Sequence, residues 1–184
     1  MKIVDAVIIL SPGYGEPEPD HWIQRWSRQI QTSQMLDLPD PTHPRREERI
    51  ATIAAAVNAA SRPVVLVGHS LGAIAIVHAA AHVDPYKVAG AFLVAPSDWD
   101  RPGLMPEFAD HDFSPIPRQP IGFPTHLVAS RSDPYCDYET AKAWARDWGS
   151  ILIDAGDAGH LNVESGQGPW PEGLTAFALF MQTL

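Results

Sequence analysis

Residues 63–67, PVVLV, carry no polar side chain, and they run into Gly68-His69-Ser70-Leu71-Gly72 before small and aliphatic residues resume. A strand with one wet face alternates apolar and polar residues, whereas an unbroken apolar run of strand length fits a strand covered on both sides. The central strand of a parallel sheet, sandwiched between helices, meets that demand. The rest of the sequence repeats the theme: strand-length apolar runs alternate with longer stretches of helical period, the signature of strand-helix-strand units.

VDAVIIL (4–10) reads as a buried first strand. DHWIQRWSRQIQ (20–31) reads as a helix with Trp22, Trp26 and Ile30 on one face and Asp20 as its N-cap. A short strand falls near QMLDL, and a second helix over 45–60 places Ile50, Ile53, Ala54 and Val57 on one side. The helix after Ser70 is expected to reach residue 83. KVAGAFLVAPS, THLVAS and GSILIDAG supply three more strands, with helices over 138–148 and 171–184. The expected fold class is α/β: a six-stranded, mostly parallel sheet with helices on both faces, in one domain spanning 1–184. Seven of the 18 prolines fall within 96–124, too dense for a long helix to survive, so this segment is expected to be an irregular excursion near the active-site mouth and not a large cap domain.

The formal charge of -9 argues against nucleic acid or an anionic membrane as partner and suits a small neutral or cationic ligand. The first apolar run is interrupted by Asp5 and lacks a small-residue cleavage site, so it reads as a strand and not a signal peptide. No segment has 18 uninterrupted apolar residues, and the expected location is cytoplasmic. Cys136 is the sole cysteine, so no internal disulfide forms, and it reads as an incidental thiol.

Chance alone supplies a Gly-x-Ser-x-Gly pentapeptide in about one chain in twenty of this length. Its setting carries the weight. A serine nucleophile of this type sits on a sharp turn between a buried strand and a helix, where Gly68 and Gly72 leave room for the backbone to fold back, and PVVLV and LGAIAIVHAAAH are that strand and helix. A serine hydroxyl needs a base, usually a histidine oriented by a carboxylate, and in this architecture the order along the chain is Ser, acid, His.

Of the eight histidines, His21 and His43 come too early, His69 is fixed beside the serine, and His78 and His82 lie too far along the helix. His126 sits near the start of its strand, at the wrong edge, and His111 lies in the proline-rich excursion. His160, in the glycine-rich loop after the last strand, shares an edge with Ser70 and is the expected base. Twelve carboxylates lie between Ser70 and His160. Asp133, three residues past THLVAS, is the expected acid; Asp98, one loop earlier, is its rival. Asp137 reads as a helix N-cap, and Asp157 as a residue shaping the His160 loop. The oxyanion donors are expected to be the backbone N–H groups of Leu71 and of Tyr14, the latter aimed inward by a turn at Gly13, with a plain glycine-rich turn as the alternative.

PGYG followed by DHW, GHSLGA, SRSDPY and AGHLN together resemble the small serine hydrolases of the α/β-hydrolase superfamily related to retinoblastoma-binding protein nine and the YdeN-like proteins. The resemblance implies a compact core lacking the first strands of larger relatives, a triad of Ser70, Asp133 and His160, and hydrolysis of a small-molecule ester or amide with no metal or organic cofactor. Binding to a retinoblastoma-type pocket protein does not follow, because around Cys136 Pro134 stands where Leu is required and Tyr138 where Glu is required.

Weaker readings remain beside this one. His78 and His82 have helical metal-pair spacing but no evident third ligand. Trp22 and Trp26 read as core anchors, His21 as a residue that lines the pocket if it is not simply structural, and Trp99 as an exposed aromatic able to close over an acyl group. The alternative function is a binding or scaffold protein that keeps the fold without turnover.

Overall fold

A computed structural model describes residues 1–104 and 112–184. Six strands, β1 (Val7–Ser11), β2 (Ser33–Met35), β3 (Val64–His69), β4 (Val88–Val94), β5 (Thr125–Ala129) and β6 (Ile151–Asp154), form one sheet in the order β2-β1-β3-β4-β5-β6. Every adjacent pair is parallel, so all C-terminal ends share one edge. The helices are α1 (Trp22–Gln29), α2 (Arg46–Ala59), α3 (Leu71–Ala79), α4 (Tyr138–Trp148) and α5 (Pro171–Thr183).

Alternation along the strands divides the core in two. Ile9, Leu66, Leu93 and Leu127 face the side packed by Ile53 and Val57 of α2, by α3 and by Trp144 of α4. Ile8, Leu10, Val65, Val67, Phe92 and Val94 face Trp22 and Trp26 of α1 and Phe177 and Phe180 of α5. Both faces are therefore dry, and β3 is buried at all six positions, as the absence of polar alternation demands.

Local signals failed at some element ends. Residues Ile3–Asp5 form a 3-10 turn in which the Lys2 N–H donates to the Asp5 carboxylate at 3.3 Å, so the first strand begins at Val7 and not residue 4. The N-cap of α1 is His21, not Asp20: the His21 Nδ1 accepts the Ile23 N–H at 3.2 Å, while Asp20 pairs with Arg25 at 2.9 Å. Asp137 does occupy the N-cap position of α4, but its side chain makes no capping bond. After α3 the chain tightens into a 3-10 turn, Ala80–His82.

The described parts of 96–124 contain no helix or strand. They pack on the α2-α3-α4 side: the Phe113 carbonyl faces His78 Nε2 at 2.9 Å, and the Trp148 indole donates to the Pro117 carbonyl at 2.8 Å. Trp99 is buried, not exposed; its indole donates to Ser97 Oγ at 2.7 Å and its ring meets Phe113.

Candidate active site

Strand β3 delivers Ser70 to the C-terminal edge on a turn with φ 55° and ψ -124°, a backbone state a non-glycine residue adopts only under constraint. The Ser70 N–H donates to the Val94 carbonyl at 3.0 Å, and the Ser70 carbonyl accepts from Ala73 to open α3. The flanking glycines have a steric reason. A Cβ at Gly72 would lie 2.0 Å from the Ser11 carbonyl oxygen and 2.5 Å from that of Pro12, and one at Gly68 would lie 2.7 Å from the Ala73 backbone.

The loops after β5 and β6 are stitched together on the same edge. Ser130 Oγ accepts the Ala158 N–H and Ser132 Oγ the Gly159 N–H, each at 3.0 Å, while the Arg131 N–H donates to the Gly156 carbonyl at 2.8 Å. Asp133 and His160 meet as a result: His160 Nδ1 lies 2.9 and 3.0 Å from the two Asp133 oxygens, and His160 Nε2 lies 2.9 Å from Ser70 Oγ. An ionised carboxylate only accepts, so Nδ1 carries the proton and Nε2 presents its lone pair to the Ser70 hydroxyl.

The His160 backbone is held from the opposite side. His69 Nε2–H donates to the His160 carbonyl at 2.9 Å, and the Trp22 indole donates to the Leu161 carbonyl at the same distance. Trp22 is thus a core anchor, as expected, and also fixes the loop that carries the imidazole.

His21, His69 and His160 form a row of rings with centroids 4.7 and 4.9 Å apart. Burial, with a smaller contribution from nearby His160, lowers the His21 pKa from 6.5 to about 4; burial also holds His69 well below the usual imidazole range. Both stay neutral in the folded chain at acid pH while unfolded imidazoles take up protons below 6.5. Folding stability is therefore expected to fall as pH drops from about 6.5 towards 4, with His21 alone contributing a loss on the order of 3 kcal/mol. Urea unfolding at stepped pH should show a shallower slope for His21→Asn, which keeps an acceptor for the Ile23 amide; an unchanged slope removes His21 as the cause.

Around Ser70 lies a cleft of about 190 Å³ lined by Gly13, Tyr14, His21, Tyr135, His160 and Asn162, with Glu16 and Glu18 at its side. None of the described residues of 96–124 lines it. Gly13 approaches so closely that a Cβ there would sit 3.2 Å from Ser70 Cβ. Leu71, fully buried, begins α3 next to Ser70. Arg49 of α2, absent from the sequence-based expectations, is 2% exposed and donates from Nη1 to the Pro12 carbonyl at 2.8 Å and from Nη2 to the Gly13 carbonyl at 2.9 Å. Its signal was present: Arg49, Ile53 and Val57 recur every four residues on the buried face.

The remaining residues lie elsewhere. Asp98 does not reach His160; its carboxylate accepts the Asp100 N–H at 3.1 Å, and burial raises its pKa. The turn before His160 is shaped by Asp154, which accepts the Gly156 N–H at 2.9 Å and pairs with Arg131, in place of the role expected of Asp157. His43 pairs with Asp40 at the surface, and His126 packs on Phe180 at the far end of β5. His111 lies outside the described residues. Cys136 is buried, and burial pushes its thiol pKa up. Among the described residues, no group of three or more His, Cys, Asp or Glu has metal-binding geometry, and no helix is long and apolar enough to cross a membrane.

A parallel sheet flanked by helices, with a strand-turn-helix serine at its C-terminal edge, defines a compact α/β-hydrolase fold. The family model described as serine hydrolase matches residues 8–179, and the chain belongs to that family. A protein described as a YdeN-like hydrolase, from Pectobacterium atrosepticum, is 30% identical, covering 98% of this chain and 92% of that one at a TM-score of 0.85. The ydeN gene product of B. subtilis is 21% identical over 97% of this chain and 99% of its own, with a TM-score of 0.75. The Paleococcus ferrophilus monoacylglycerol lipase shares the fold at 14% identity and a TM-score of 0.71, covering 99% and 96% of the two chains. No curated protein matches the chain.

Proposed function

We propose that this hydrolase cleaves a small ester, thioester or amide through an acyl-enzyme, with Ser70 as nucleophile, His160 as base and Asp133 as the group that orients the imidazole. The single observation carrying the reading is the unbroken line from Ser70 Oγ through His160 to Asp133, with both gaps at 2.9 Å. His160 Nε2 takes the hydroxyl proton as Oγ attacks the carbonyl carbon, and the imidazolium returns that proton to the leaving group as its bond to carbon breaks. Water, deprotonated by the same nitrogen, then attacks the acyl carbon, and as the C–Oγ bond breaks the imidazolium returns the proton to Oγ, releasing the carboxylic acid and restoring Ser70.

The tetrahedral oxyanion formed in each half is assigned to the backbone N–H groups of Leu71, the first residue of α3, and of Tyr14, in the loop that lines the cleft. A cleft near 190 Å³ is small beside typical ligand sites, which favours small substrates, and Glu16 and Glu18 beside it favour neutral or cationic ones. The chain's net charge of -9 points the same way.

A fluorophosphonate probe distinguishes this reading from a scaffold that keeps the fold without turnover, since phosphonylation requires an activated serine. Labelling is expected in wild type, absent in Ser70→Ala and strongly reduced in His160→Ala. Folded wild type that does not label leaves the scaffold as the better reading.

A further inference from the structure

We propose that Arg49 is a positioning residue that locks the peptides of the oxyanion loop in the orientation catalysis requires; this rests on the assignment of the Tyr14 amide to the oxyanion site. Arg49 is buried to 2% exposure, and among the described residues no carboxylate lies within ion-pair distance of it. Its Nε has no hydrogen-bond partner, and burial lowers its pKa to about 10, which still leaves it charged at neutral pH. Burying an unpaired charge is costly, and among the described residues two hydrogen bonds offset that cost, to the carbonyls of Pro12 and Gly13.

Those two carbonyls are consecutive, and each belongs to a planar trans peptide whose N–H points the opposite way. Fixing the Pro12 carbonyl fixes the Gly13 N–H, and fixing the Gly13 carbonyl fixes the Tyr14 N–H. Rotation of the Gly13–Tyr14 peptide would exchange donor for carbonyl and place negative charge where the oxyanion forms. Gly13 makes such a rotation cheap, because glycine tolerates conformations closed to other residues. A bulkier residue is a poor remedy, since a Cβ at Gly13 already lies 3.2 Å from Ser70 Cβ. A clamp from outside the loop solves the problem. The planar guanidinium spans two acceptors at once, and its charge polarises both peptides in a low-dielectric interior, strengthening the donors on their far sides. Ile53 and Val57, buried on the same face of α2, hold the clamp against the core.

The test compares wild type, Ser70→Ala, Arg49→Met, Arg49→Ala and Arg49→Lys by thermal melting, steady-state hydrolysis of p-nitrophenyl acetate and inhibition by phenylboronic acid, whose tetrahedral adduct places an oxygen at the oxyanion position. In folded Arg49→Met, kcat is expected to fall about a hundredfold with KM changed less than about threefold, and the boronate inhibition constant to rise in step with the loss of kcat. Arg49→Lys, reaching one carbonyl, should fall between the two. Millimolar guanidinium should restore kcat saturably in Arg49→Ala, an effect a purely structural role does not produce. Folded variants that keep kcat within about threefold, or lose kcat with boronate inhibition unchanged, overturn the proposal. If the Met and Ala variants do not fold, Arg49→Lys decides: unaltered kcat overturns it, and a drop of about tenfold or more with weakened boronate binding supports it. Wild type without Ser70-dependent turnover or boronate binding instead sinks the hydrolytic reading itself, and the clamp with it.

Discussion

Ser70→Ala is expected to lower kcat on p-nitrophenyl acetate by about 10⁴-fold or more, and His160→Ala by a similar factor. The two losses should not add. In the proposed triad Oγ acts as a nucleophile only while His160 Nε2, 2.9 Å away, accepts its proton, and that nitrogen has nothing to accept once the hydroxyl is gone. The double variant should therefore be no slower than either single one. Some turnover above the uncatalysed rate should survive, because the Leu71 and Tyr14 amides and the cleft would still bind the reacting carbonyl. Melting temperature should change little, since the φ of 55° at position 70 belongs to the turn and an alanine inherits it. Steady-state kinetics beside a melting curve checks both halves of the expectation; a folded Ser70→Ala protein retaining a tenth of wild-type kcat places the nucleophile elsewhere.

Much of this architecture is legible in the chain because the same physics writes both. Dry strands need unbroken apolar runs, so β3, β4 and β5 stand out, and a parallel sheet puts every following loop on one edge, which is why position points to His160 and narrows the acid to Asp133 with Asp98 as its rival. The errors fall where a neighbour in space outweighs a neighbour in sequence. Asp20 is the better cap by type, yet His21 caps α1 because its ring is already packed between Trp22 and His69. Asp133 and His160 come into register through the Ser130 and Ser132 hydroxyls, which span 28 and 27 residues and carry no signature of their own. Arg49 was hidden for a related reason. A charged residue on an apolar helical face announces burial, but its partners are main-chain oxygens, and main chain has no letter in the sequence.

Asp133→Asn is expected to cost about 10⁴-fold in kcat while leaving the site's shape almost intact. The reason lies in which way the new amide must point. The Tyr135 N–H donates to Asp133 Oδ1 at 2.9 Å, so an asparagine keeps its oxygen there, 2.9 Å from His160 Nδ1, and directs its NH2 to the Oδ2 position, 3.0 Å from the same nitrogen. The NH2 then competes with that oxygen for Nδ1, and wherever the amide donates, Nδ1 must present a lone pair and the ring proton moves to Nε2. The imidazole then offers Ser70 an N–H in place of a lone pair and cannot take the hydroxyl proton, and the positive charge it would acquire has lost its carboxylate. Asp98→Asn serves as the control: that carboxylate is engaged with the Asp100 amide, away from His160, and kcat should stay within about threefold. Comparing kcat, KM and fluorophosphonate labelling rates of the two variants separates the candidates, because loss confined to Asp98→Asn, or Asp133→Asn within about tenfold of wild type, would assign the orienting carboxylate elsewhere. The tautomer itself is open to observation. The ¹⁵N chemical shifts of His160 should interchange between wild type and Asp133→Asn, with Nδ1 protonated in the first and Nε2 in the second.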